Sequence, residues 1–171
     1  MKKAIFKISA LASLMFILTA CPYESKVPIT QPEEKLDKGL LGKWISASDR
    51  EYDEPTYFEI AKYEKTKYEV TEWSYSTYDS VYSATMYLMH TSTVGDKRFM
   101  NVQENGAGNY YLHMFELHEN DFTLYEISDN IDETFTKSAD LAAFVEKYMD
   151  LSFFYASEEK TYFKCKDCKN K

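Results

Sequence analysis

From residue 43 to residue 127 the chain repeats one pattern: a short run rich in Tyr, Phe, Val, Ile and Thr, then a polar break. Those residue types suit pleated, half-buried surfaces, so each run reads as a β-strand. The runs lie at 43–48, 55–63, 66–75, 80–92, 97–104, 109–118 and 121–127, with a further one at 160–165. The breaks carry turn chemistry. Gly95-Asp96 supplies a positive φ for a tight hairpin, and Asn105-Gly106-Ala107-Gly108-Asn109 makes a looser connection. Glu64-Lys65 and Glu119-Asn120 serve as two-residue turns. Consecutive hairpins of this kind build an antiparallel meander.

Some of these strands are apolar on both faces. Tyr111, Phe115 and Leu117 share one parity, and Tyr110, Leu112 and Met114 the other; Val81, Tyr87 and Met89 oppose Tyr82, Ala84, Met86 and Leu88. A sheet with one wet face alternates cleanly, so these strands need cover on both sides. One helix is available to provide it. Leu141, Phe144, Val145, Tyr148 and Met149 recur at helical spacing, Ser138 is a good N-cap, and Asp140 suits the first turn. The spacing predicts a helix over about 138–150, lying across the outside of the sheet. A sheet that curls buries its other face internally. The predicted class is therefore mostly β: an antiparallel meander forming a closed or partly open barrel, with one helix near the C-terminus.

The segment before the meander is of another kind. Lys2, Lys3 and Lys7 precede an apolar run from Ile8 to Leu18, shorter than the about 20 residues needed to span a bilayer. Leu18-Thr19-Ala20-Cys21 then looks like the end of a bacterial lipoprotein leader. The resemblance implies cleavage before Cys21 and acyl chains, palmitate among them, on that cysteine. Two or three such chains anchor stably where one does not. Pro22, in place of an aspartate, implies sorting to the outer membrane. The chain thus divides into a signal peptide (1–20), a lipidated tether (21–39) and a single β-rich domain (40–171). The tether carries Pro22, Pro28, Pro32 and a charged run at 33–38, a composition that favours extended conformations.

Charge removes one class of partner. Taking Lys2, Lys3 and Lys7 from 20 Lys and Arg leaves 17 against 28 Asp and Glu, a formal charge of −11 for the mature chain. Nucleic acid is excluded, because phosphate binding needs a basic patch. An acidic body suits a basic protein partner, and equally suits solubility.

The chemistry-bearing residues are few. Cys165 and Cys168 stand as a Cys-Lys-Asp-Cys unit after an apparent strand, followed only by Lys169-Asn170-Lys171. No helix N-terminus is there to lower a thiol pKa, so the pair is read as a small structural disulfide or two free thiols. Of the three histidines, His113 and His118 are expected on opposite faces; His90 and His113 share a face if their strands pair. That is too little for a metal site. The chain has no Gly-x-Ser-x-Gly elbow, phosphate loop or His-Glu-x-x-His helix, so neither a cofactor nor an enzyme activity is expected. Tyrosine is the unusual resource. The chain has 15, and Trp73, Tyr75, Tyr82, Tyr87 and Tyr111 are the candidate ligand or partner contacts.

Gly42 and Trp44 open the domain as Gly-x-Trp, ahead of the meander, the late helix and the final strand. This arrangement resembles the lipocalin and calycin barrels. The resemblance implies that Trp44 closes the base of a barrel whose cavity binds small apolar molecules. Lipocalins place their helix after eight strands, whereas seven precede it here. Residues 21–28, Leu40-Leu41-Gly42-Lys43-Trp44, Asn130-Ile131-Asp132-Glu133 and Leu151-Ser152-Phe153-Phe154 also resemble a group of functionally uncharacterised lipoproteins from Bacteroidetes-type bacteria. That likeness implies the anchor and a single compact domain, and no activity. The expected function is a membrane-anchored envelope protein that binds a small amphipathic ligand in or at a barrel. The alternative is an inhibitor, immunity or assembly factor acting on a protein partner through its acidic surface.

Overall fold

The computed structural model describes residues 23–105 and 108–168. The strands, all in antiparallel pairs, are β1 (Glu24–Ser25), β2 (Gly42–Ser46), β3 (Tyr57–Lys62), β4 (Tyr68–Ser76), β5 (Val81–Val94), β6 (Lys97–Glu104), β7 (Tyr110–Leu117), β8 (Asp121–Ile127) and β9 (Tyr155–Cys165). The helix α1 spans Ser138–Tyr148. Strands β2 to β8 pair in chain order. β9 then inserts between β8 and β2 and closes an eight-stranded ring. The barrel is therefore closed, its eighth strand arrives after the helix, and the architecture is lipocalin-like.

Closure explains why strands such as β7 are apolar on both faces. Inward-facing Trp44, Ile60, Tyr68, Val70, Met89, Met100, Phe115, Phe122 and Tyr162 form one core. On the outer wall, Val94, Phe99, Leu112, Met114 and Ile127 form a second with Leu141, Val145 and Met149 of α1. Burying each such side chain contributes roughly 1.5–3 kcal/mol, so the helix stripe and the outer wall are each other's cover. The C-terminal end of α1 meets the β5–β6 hairpin, where Asp150 pairs with Lys97 at 3.2 Å. Ser138 is not the N-cap. That position falls to Lys137, whose extended backbone sets its carbonyl to accept from the amides of Asp140 and Leu141; Ser138 opens the first turn instead.

The expectation of a free tether over 21–39 fails for the described residues 23–38. They form a strap across the outer wall and under the base, with Tyr23, Pro28 and Ile29 buried. Prolines that keep a chain extended also suit it to lie along a wall, and the apolar residues between the polar ones fix it there. Asn101, buried on the outer face of β6, is the latch. Its Oδ1 accepts from the Ile29 amide at 2.7 Å, and its Nδ2 donates to Ser92 Oγ at 2.8 Å. His90 Nε2 lies 2.8 Å from the Thr30 carbonyl oxygen, and Asp37 pairs with Arg98 at 3.0 Å. Asn101→Ala leaves a buried amide without its acceptor, so stability falls by about 1–3 kcal/mol. Guanidinium unfolding will measure that loss, and hydrogen exchange will show it centred on the Ile29 amide.

Candidate functional site

The barrel has a closed base and an open rim. The turns at 63–67, 95–96 and 118–120 lie at the base, and the connections at 47–56, 77–80 and 128–137 lie at the rim with Glu104 and Tyr110. A 3-10 turn, Lys38–Leu40, plugs the base. Trp44 is fully buried above it and donates from Nε1 to the Leu40 carbonyl at 2.8 Å. Phe122 packs edge-on to the indole at 4.7 Å, and the Lys164 ammonium sits 5.1 Å from its centroid. Gly42 turns the chain into β2 at φ +130°, a conformation side chains resist, and a Cβ there would meet Lys164 Cε at 3.2 Å.

Above this floor is a cavity of about 280 Å³. Pockets that take small molecules run to ~300–1,000 Å³, so this one suits a small ligand. Its lining follows from strand parity. On three of the four strands that rise from base to rim, the inward residues include Tyr68-Val70-Glu72, Met100-Val102-Glu104 and Phe122-Leu124-Glu126. Each series ends on a glutamate at the open end. The descending strands contribute Phe58 and Ile60 from β3, Tyr87 and Met89 from β5, Tyr111 and His113 from β7, and Tyr162 from β9. The result is an apolar chamber under an acidic rim.

The polar groups of the wall are linked. Tyr87 Oη donates to Glu72 Oε2 at 3.0 Å, and Tyr87 stands opposite Glu104 in the ladder. Burial, then the Glu72 carboxylate, pushes the Tyr87 hydroxyl up to about 12. Burial likewise takes Tyr162 up to about 12, with Glu126 adding to it. Lys160 Nζ donates to Glu126 at 2.7 Å. His113 lies deep in the wall, and what accessible surface it keeps faces the cavity. Burial pulls its pKa down to about 4, Lys160 pulls the same way and Glu126 opposes them, so the imidazole is neutral at pH 7. Its Nδ1 is buried without a hydrogen-bond partner.

The sequence-derived candidates separate by face. Tyr87 and Tyr111 line the cavity. Trp73, Tyr75 and Tyr82 lie on the outside, in a cluster with Tyr57 that packs beside Ile45, Phe163 and Cys168. His90 and His113 do not share a face, because β6 separates their strands and their parities oppose; His90 lies against the strap. Cys165, the last residue of β9, is joined to Cys168 in a disulfide. Among the described residues no group of three His, Cys, Asp or Glu could hold a metal ion. A smaller hollow of about 180 Å³ lies outside the barrel, between Arg50, Tyr52, Phe163 and the disulfide. It lacks the apolar depth of the interior.

Glu72, Glu104, Glu126 and His113 are site residues that aromatic density does not reveal. The signal that finds the three glutamates is the repeated series of two apolar inward residues followed by glutamate; no such pattern marks His113. Fold and cavity together define a closed, lipocalin-like barrel with one end open and a mixed apolar and acidic lining. Comparison with protein-family models, with curated proteins and with solved structures finds no match for this chain.

Proposed function

We propose that the protein is a lipid-anchored component of the cell envelope, sorted to the outer membrane, that binds a small amphipathic ligand inside its barrel. The observation that carries this reading is the cavity itself: an apolar chamber of about 280 Å³ whose polar groups are gathered at one end. A ligand with an apolar body and a polar head matches that division. The anchor adds a geometric constraint. Cys21 lies outside the described residues, but in the chain it comes only two positions before buried Tyr23. An acyl chain on Cys21 would hold the barrel directly against the bilayer surface, with no long tether between them. The reading assigns the protein no reaction.

A neutral apolar fluorophore tests it. N-phenyl-1-naphthylamine will brighten on binding the wild-type domain, and Val102→Trp or Leu124→Trp, each filling the chamber from a different strand, will abolish the signal. Equal brightening with both filled variants places the dye elsewhere and overturns the cavity reading. The protein-partner alternative draws on the exposed Tyr78 at the tip of the β4–β5 hairpin and on Met86 on its outer face, which offer apolar contacts.

A further inference from the structure

We propose that the cavity selects a small organic cation, an ammonium or related N–H-bearing group on an apolar body, with its charge held at the Glu72–Glu104 side of the rim and its body against Ile60, Val70, Met89 and Phe122. This rests on reading the cavity as a ligand site, and it adds the sign of the ligand's charge.

Three observations carry it. The first is the placement of carboxylates. Glu72, Glu104 and Glu126 all line the cavity, and Tyr87 donates to the first and stands opposite the second. The second is the state of the cations that share the inner wall. Lys160 is bonded to Glu126 at 2.7 Å. At the base, Lys164 reaches the Gly39 carbonyl at 3.2 Å, and Arg98 pairs with Asp37. None of these three has its charge directed at the Glu72–Glu104 side. The phenol between those two carboxylates already donates to Glu72. An anionic head would therefore meet acceptors, whereas an ammonium would meet two carboxylates and the face of Tyr87 or Tyr111. The rim connections extend the same field: Asp79, Asp129, Asp132 and Glu133 stand there with Lys137.

The third observation is independent of the acids. His113 is deep in the cavity wall as a neutral imidazole, and its buried Nδ1 has no partner. A neutral imidazole accepts at one nitrogen; buried Nδ1 is closed off from the chamber, so the position left for a ligand N–H is the ring edge that faces it. A hard divalent metal is the poorer match. It needs six or more converging oxygens, and no cluster of three candidate ligands exists among the described residues.

The test compares three probes with one body: 2-phenylethylamine, 2-phenylethanol and 3-phenylpropionate, titrated calorimetrically into the whole mature protein at pH 7. The amine should bind at least about tenfold more tightly than the alcohol, the ratio expected of one charge-assisted contact, and the carboxylate least of all. Glu72→Gln and Glu104→Gln should each weaken the amine about tenfold or more and leave the alcohol unchanged; Glu104 is exposed, so its variant keeps the fold. Equal affinity for amine and alcohol, tighter binding of the carboxylate, or binding of none of the three would overturn the inference. The naphthylamine titration then separates the two failures. If that dye still fills the chamber, only the charge preference is lost; if it does not, the cavity reading falls as well.

Discussion

Trp44→Ala lowers the unfolding free energy by about 3–5 kcal/mol, the range for deleting a large buried aromatic. Trp44 has no exposed surface and is the largest fully buried side chain of the barrel. Its removal leaves a void between the base turn and the chamber, and the neighbours cannot collapse into it. Phe122 is held by stacking on Tyr162 at 5.1 Å, and Leu40 is held by its own turn. The Leu40 carbonyl also loses its donor. Trp44→Phe separates these effects: it restores most of the volume and none of the hydrogen bond, so it should cost about 1–3 kcal/mol. Urea unfolding followed by far-UV dichroism measures both. A Trp44→Ala protein as stable as wild type would mean that the base is not closed by this side chain.

Acid should expose the burial of His113. Its folded pKa of about 4 lies below the ordinary histidine value of 6.5. Between those limits the unfolded chain binds the proton and the folded chain does not. Stability from the neutral ring is therefore complete above pH 6.5 and is lost as pH falls towards 4, by roughly 3 kcal/mol in total. Other ionisable groups add their own pH dependence to the total. The informative quantity is thus the difference between wild type and His113→Gln. That difference should be flat above pH 7 and should shift by roughly 3 kcal/mol in favour of the variant on going to pH 4. Parallel curves for the two proteins would place the ring in water instead.

Most of the fold was legible because local chemistry and the final environment agree. The runs at 80–92, 97–104 and 121–127 are β-branched and aromatic, and they fold as strands with little change of boundary. The helix was legible from the spacing of Leu141, Val145 and Met149, all of which are buried. The start of β9 was not. Residues 155–159 include Ser157, Glu158 and Glu159, which read as loop, yet Tyr155 and Glu159 pair with Ile127 and Tyr125 across a bulge. Ladder hydrogen bonds at the join of a closing barrel override side-chain preference. The strap was misread for the opposite reason. Its prolines and charges dominate composition, while its attachment depends on Ile29 and on one asparagine 72 residues away.

The site was half legible. Aromatic density marked Tyr87 and Tyr111, which line the chamber, and equally Trp73, Tyr75 and Tyr82, which face outwards. Density does not know which face is inside; parity does. Once Val70, Val102 and Leu124 are known to point inwards, the glutamate two places on from each is fixed at the rim by the period of a strand. Barrel closure, which decides that these three strands share one interior, is a long-range property that no local pattern carries.

Native mass spectrometry of the protein, purified in gentle detergent from its own envelope, tests the central claim most directly. A bound small molecule should ride with the wild-type chain and be missing from Val102→Trp prepared in the same way. A wild-type protein that carries nothing, or a filled variant that keeps the same passenger, would contradict the account.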